Sequence, residues 1–159
     1  MAQTKIKPGV KAPDFSLPTT SGGSVTLKDL LGKNSLLIFW KSTCPYCINE
    51  APKLSAALKE VGDALKVTAI ATGRDTAEDA DRFAKEHGFP FTVAVDESKS
   101  ARTAYGLRIV PTLFWLSPDG TVQAVYEGSS AGLQEAVERA VEAVKKGEAV
   151  PSYDVVGSG

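Results

Sequence analysis

Two cysteines and one histidine are all the thiol and imidazole side chains in this 159-residue chain. A structural zinc site takes about four protein ligands, so that reading is poor. Two thiols in one close pair also do not make the distributed framework of a small secreted disulfide domain. Charge of one sign is lacking as well. Eighteen Lys and Arg oppose nineteen Asp and Glu, for a net charge of −1 with no basic block, which argues against nucleic acid or an anionic membrane surface as partner. No apolar run approaches the ~20 residues that span a bilayer. The opening Met1-Ala2-Gln3-Thr4-Lys5 is followed by no apolar core, so no signal peptide is visible. The sequence as written is expected in the cytoplasm, or outside it if a leader has been removed.

What is present is a chain of one-domain length, 43% hydrophobic, expected to form a single domain over residues 1–159 with its core between about residues 10 and 146. Residues 1–9 are expected to be a loose arm and 147–159, rich in Gly, Pro and Ser, a loose tail. The chain is organised around Ser35–Cys47. The short apolar run Leu36–Trp40 reads as a strand buried on both faces. Beyond Cys44-Pro45-Tyr46-Cys47, Leu54, Leu58 and Val61 recur at helical spacing. Both thiols therefore sit at the start of a helix, where free N–H groups and partial positive charge favour a thiolate. Cys44, the first and the expected more exposed sulfur, reads as the nucleophile. Cys47, one turn on, can close a disulfide with it. Pro45 suits a first helical turn, and Pro52 should kink or break the helix.

Around this centre, Phe15–Leu17 and Val25–Leu27 flank the loop Thr19–Gly23 as a hairpin, and Lys28–Leu31 forms a helical turn. Ala64–Ala71 is a strand. Thr76, with Asp79 three residues on, opens a helix to about His87, with Ala80, Phe83 and Ala84 as its apolar stripe. Phe91–Val95 is a short strand and Ser98–Tyr105 a short helix. Thr112–Leu116 and Val122–Tyr126 pair across the turn Ser117-Pro118-Asp119-Gly120. Leu133, Val137, Ala140, Val141 and Val144 stripe a last helix. The order predicts an α/β fold with a mostly parallel sheet and an antiparallel edge hairpin. The cysteine turn would lie at the carboxyl end of a central strand.

Several pieces match one family in order: Ala12-Pro13-Asp14-Phe15 with Leu17, Phe39-Trp40, Cys44-Pro45-Tyr46-Cys47, Glu50-Ala51-Pro52, Tyr105-Gly106, Val110-Pro111-Thr112, and Ser117-Pro118-Asp119-Gly120. From about Val10 to Lys146 the chain resembles the thioredoxin superfamily, and within it the TlpA/ResA-like thiol-disulfide oxidoreductases that border the redoxin/peroxiredoxin group. The resemblance implies a thioredoxin fold: a central mixed sheet flanked by helices, with an N-terminal β-hairpin extension and an inserted helix–strand element. It implies Cys44 as nucleophile, Cys47 as resolving thiol and Pro111 as a cis-proline facing them. Pro111 would turn the Val110 backbone towards an extended client. Trp40, Pro45 and Tyr46 join Val110 and Pro111 as candidate substrate-contacting residues; Trp40 has core filling as its alternative.

The chain departs from thioredoxins at Ile38, where they carry a buried aspartate, and at Thr43, where they carry Trp. Glu50 matches a glutamate of the TlpA/ResA group and is a candidate proton relay for Cys47, with a solvated helix glutamate as the alternative. Lys41 reads as a surface lysine and His87 as a helix C-terminal cap.

The expected function is exchange of electrons with protein disulfides by a monomer. Its partners would be a client protein and an upstream redox protein, with no cofactor and no resident metal. Two alternatives remain. A peroxiredoxin-like peroxidase would need Thr three residues before its cysteine, where Cys44 stands. A soft-metal chaperone would use the same two thiols for Cu(I).

Overall fold

The computed structural model describes residues 6–88, 91–128 and 132–151, without the side chain of Tyr46. Its centre is β3, Asn34–Trp40, buried from Ser35 to Trp40. Because strand side chains alternate, β3 feeds two cores. Leu36, Ile38 and Trp40 enter one; Leu37 and Phe39 enter the other. β4 (Leu65–Ala71) runs parallel to β3, with Ile38 opposite Ala69. β5 (Thr92–Val95) runs parallel to β4. On the other side, β6 (Thr112–Leu116) is antiparallel to β3 and β7 (Val122–Glu127) is antiparallel to β6. The order is β5-β4-β3-β6-β7, the mixed α/β sheet expected of a thioredoxin fold.

One face carries α1 (Pro45–Lys59), α2 (Ala77–Glu86) and α4 (Leu133–Lys146). Leu54 and Leu58 of α1 meet Val137, Val141 and Val144 of α4 in that core. The other face carries α3 (Ser100–Ala104) and a separate hairpin, β1 (Ser16–Pro18) with β2 (Ser24–Thr26). The hairpin buries Leu17 and Val25 against Phe39, Ile70 and Phe114, and its turn extends the β5 edge, where Thr20 N–H donates to the Val93 carbonyl at 2.9 Å. The two capping boxes, Thr26 with Asp29 and Thr76 with Asp79, satisfy backbone donors that a helix start leaves free. Among the described residues no helix is long and apolar enough to cross a membrane.

Three local expectations change. Pro52 does not break α1, which runs through it. Its ring faces solvent while Ala51, Leu54 and Leu58 are buried, so burial of the inner face holds the helix across the missing hydrogen bond. The arm is not loose from Ile6 onward: Ile6 is buried, Gly9 N–H donates to the Val122 carbonyl and Val122 N–H to that of Val10, both at 2.8 Å. Nor is the start of the tail loose. Val150 is buried and its N–H donates to Gln123 Oε1, while Tyr126 Oη–H donates to the Pro151 carbonyl at 2.8 Å. Residues 1–5 and 152–159, which carried the same expectation, lie outside the described residues.

Candidate active site

Cys44 is the N-cap of α1 and Pro45 its first residue. The cap side chain here is a sulfur: Cys47 N–H donates to Cys44 Sγ at 3.1 Å, satisfying a donor that the helix start would otherwise leave free. The Cys44 thiol in turn donates to the Val110 carbonyl at 3.7 Å. That carbonyl belongs to the loop before β6, where the Val110–Pro111 peptide is cis. Thr112 Oγ1 donates to the Ile109 carbonyl at 2.7 Å, and Gly128 N–H donates to the Pro111 carbonyl at 2.8 Å, pinning this loop. Because β3 and β6 are neighbours, the cysteine turn and the Val110–Pro111 loop sit together, although 66 residues separate Cys44 from Val110.

The two sulfurs do not differ in exposure as expected. Cys44 is 4% exposed and Cys47 5%. Both belong to the same buried core cluster as Trp40, Ala51 and Leu54. Cys47 lies one turn inside α1, whereas Cys44 caps it. Burial pushes the Cys47 thiol well above the ordinary thiol range, the Cys44 side chain adds to that, and the Lys41 backbone and charge oppose it. Both cysteines are free thiols.

Trp40 is not a contact surface. It is 1% exposed, with its ring on Phe83 at 4.4 Å between centroids, because the carboxyl end of β3 lies beneath α2. Pro45 is exposed, Val110 half-buried and Pro111 buried. The Tyr46 side chain lies outside what the structure describes. Ile48 and Ile109, 39% and 43% exposed, add apolar surface in the two segments that carry the cysteines and Val110.

Glu50 is not a solvated helix glutamate. It is buried, with Asn49 Nδ2 donating to its carboxylate at 3.3 Å and Lys53 Nζ 3.8 Å away. Lying three residues after Cys47 in α1, it projects near the same face. His87 does cap α2, with its ring on Phe83. Lys41 is half-buried, and its stem lies against Gly73, where a Cβ would come within 3.3 Å of Lys41 Cδ.

Asp75 escaped the sequence reading. Buried behind the cysteine turn, it accepts from both the N–H and the hydroxyl of Ser42 at 2.6 Å. Asp96, also buried, fastens α3 by accepting from the N–H groups of Ala101 and Arg102. Asp75 precedes the evident N-cap Thr76, so local sequence gives it a role in the helix start. Its partner stands 33 residues away and leaves no local signal.

The AhpC/TSA family model matches residues 8–125. The chain is 35% identical to the thioredoxin-like protein YneN of Bacillus subtilis over 126 residues, 78% of this chain and 74% of that protein. It is 31% identical to the thiol-disulfide oxidoreductase ResA of the same organism, across 78% and 69% of the two chains. Among solved structures, a secreted disulfide oxidoreductase of Mycobacterium tuberculosis homologous to E. coli DsbE superposes with a TM-score of 0.72 at 28% identity, covering 81% of this chain and 95% of that one. A hypothetical protein of Sinorhizobium meliloti superposes with a TM-score of 0.83 at 26% identity, covering 98% and 93%.

Proposed function

Because the chain belongs to the AhpC/TSA family and stands among its ResA-like thiol-disulfide oxidoreductases, we propose that it exchanges electrons with disulfides of client proteins through Cys44 and Cys47. One observation carries the assignment of roles. Cys44 Sγ stands at the head of α1, held by the Cys47 N–H and facing the Val110 carbonyl.

Loss of the Cys44 proton removes the thiol's bond to Val110 and strengthens the bond from Cys47 N–H, since a hydrogen bond to a charged acceptor is the stronger one. The thiolate then attacks a client disulfide. The client S–S bond breaks, a bond from Cys44 Sγ to one client sulfur forms, and the other client sulfur leaves as a thiolate that takes up a proton. The freed Val110 carbonyl accepts from a backbone N–H of the client, strand-fashion.

Resolution needs the Cys47 thiolate, which burial disfavours. Glu50 takes the Cys47 proton. Cys47 Sγ attacks Cys44 Sγ, the mixed disulfide breaks, and the second client sulfur leaves. Two electrons pass from the cysteine pair to the client, and the reverse sequence oxidises a client dithiol. Pro45, Val110 and Pro111 with Ile48 and Ile109 supply the contact surface, and an upstream redox protein resets the pair. The chain acts as a monomer.

The test is intact-mass analysis with a disulfide-bonded client. Cys44→Ser gives no exchange, and Cys47→Ser accumulates the protein–client adduct. Turnover by Cys47→Ser at the wild-type rate would overturn the two-thiol mechanism. Peroxide consumption and Cu(I) titration of the reduced protein separate the peroxidase and metal-chaperone alternatives.

A further inference from the structure

Beside the cysteine turn runs a groove of about 690 Å³, walled by Lys41–Thr43, the Gly73–Asp75 loop, one face of α2 and the start of α3, and reaching Ile48 just past Cys47. Its charge is one-sided. Lys41, Arg74, Arg82, Lys99 and Arg102 line it against three carboxylates, Asp75, Asp79 and Glu86. Two of those carboxylates are already engaged, Asp75 by Ser42 and Asp79 by the Thr76 N–H and Arg82. Of the five cations, only Arg82 forms an ion pair among the described residues. Arg74, Lys99 and Arg102 are exposed. The chain as a whole carries −1, so this excess is local. At the Val110 loop, by contrast, Arg108 is neutralised by Glu127 at 3.8 Å.

Unpaired cations along a groove that opens at a nucleophile attract a complementary anion and raise its encounter rate. Thr43 and Ile48 belong both to the groove and to the segment carrying the cysteines, so an occupant of the groove continues into the exchange site. We propose that this groove docks an acidic segment of the client polypeptide flanking its reactive cysteine, making client charge a determinant of specificity. This inference rests on the client-disulfide reading of Cys44 and Cys47.

The experiment uses three synthetic peptides with the same internal disulfide and a flank of Glu, Gln or Lys. At low ionic strength the wild-type protein exchanges the Glu peptide about tenfold faster, as kcat/KM, than the Gln peptide, and the Lys peptide more slowly than either. The gap closes near about 0.5 M salt, as screening requires. In Arg74→Glu/Arg102→Glu the preference disappears or inverts while the Gln peptide keeps its rate. Docking is read separately by anisotropy of the Glu peptide, carrying an uncharged dye, on Cys44→Ser/Cys47→Ser protein. Exchange with none of the peptides would overturn the client-disulfide reading. Exchange and binding indifferent to charge, or a preference that survives the double reversal, would overturn the acidic-segment surface alone. An equal gain for oxidised glutathione over an uncharged small disulfide would assign the groove to a small anion instead and overturn the segment proposal.

Discussion

Two carboxylates flank the same reactive turn, equally hidden and differently employed. Asp75 is 5% exposed and Glu50 6%. Both its oxygens committed at 2.6 Å to Ser42, Asp75 holds the chain just before Cys44. Among the described side chains, Glu50 has one 3.3 Å contact from its neighbour Asn49 and a lysine at 3.8 Å that is itself half in water. A saturated acid is a fastener, whereas an under-committed buried acid one helical turn from a buried thiol is available to take a proton. Burial by itself does not distinguish the two; their partners do.

Removing the fastener has the largest expected effect. Asp75→Ala strands the Ser42 N–H and hydroxyl and should cost about 3 kcal/mol of stability, read as a lower urea midpoint. First attack and resolution should slow together, because the whole turn loosens. A selective loss of resolution would mean that Asp75 does Glu50's work. Glu50→Gln comes next. It should lengthen the mixed-disulfide lifetime about a hundredfold in rapid-quench measurements, with first attack by Cys44 spared. An unchanged lifetime would reduce Glu50 to a packing residue and leave the proton to water.

A smaller effect is the pH dependence tied to Cys47. Its folded-state pKa is raised by burial, whereas an unfolded thiol titrates near ~8.5. Above that pH the unfolded chain has released a proton that the folded one keeps, so stability is full below ~8.5 and falls as pH rises. The slope reaches about 1.4 kcal/mol per pH unit at most. Denaturation of the reduced protein between about pH 8 and 9, a unit or more below the ~10 of an ordinary tyrosine, should show the onset of this slope. It should shrink in Cys47→Ser, and equal slopes would contradict the burial argument. Smallest is Lys53→Ala, which removes only the half-exposed partner of Glu50 and should cost less than about 0.5 kcal/mol. It should leave resolution nearly untouched; a loss as large as that of Glu50→Gln would mean that the ion pair, rather than the free carboxylate, is the working unit.

Much of this architecture was legible because its causes are local. The unbroken run from Leu36 to Trp40 marks a strand covered on both sides, and β3 is that strand. Thr76 with Asp79 announces α2, and both halves of the capping box form. Cys44-Pro45 announces the start of α1. Other features failed for stated reasons. Pro52 predicts a break from backbone chemistry alone, but the buried stripe of α1 outweighs it. Trp40 stands near the cysteines in sequence, yet strand alternation turns it into the core under Phe83. The arm and tail read as loose because their own residues give them no reason to order; the partners that hold them, Val122, Gln123 and Tyr126, lie on β7.

By itself the sequence determined the element order, the placement of two thiols at a helix start and the chemical class these imply, since propensity, capping and hydrophobic period act within a few residues. Tertiary structure alone decided that Asp75 ties down the turn, that Glu50 is buried with its carboxylate loosely held, and that the cations of α3 and the Gly73–Asp75 loop share one groove. Each of these joins residues through pairing or packing of separate elements, or through burial that those elements create, and no local pattern encodes which ones meet.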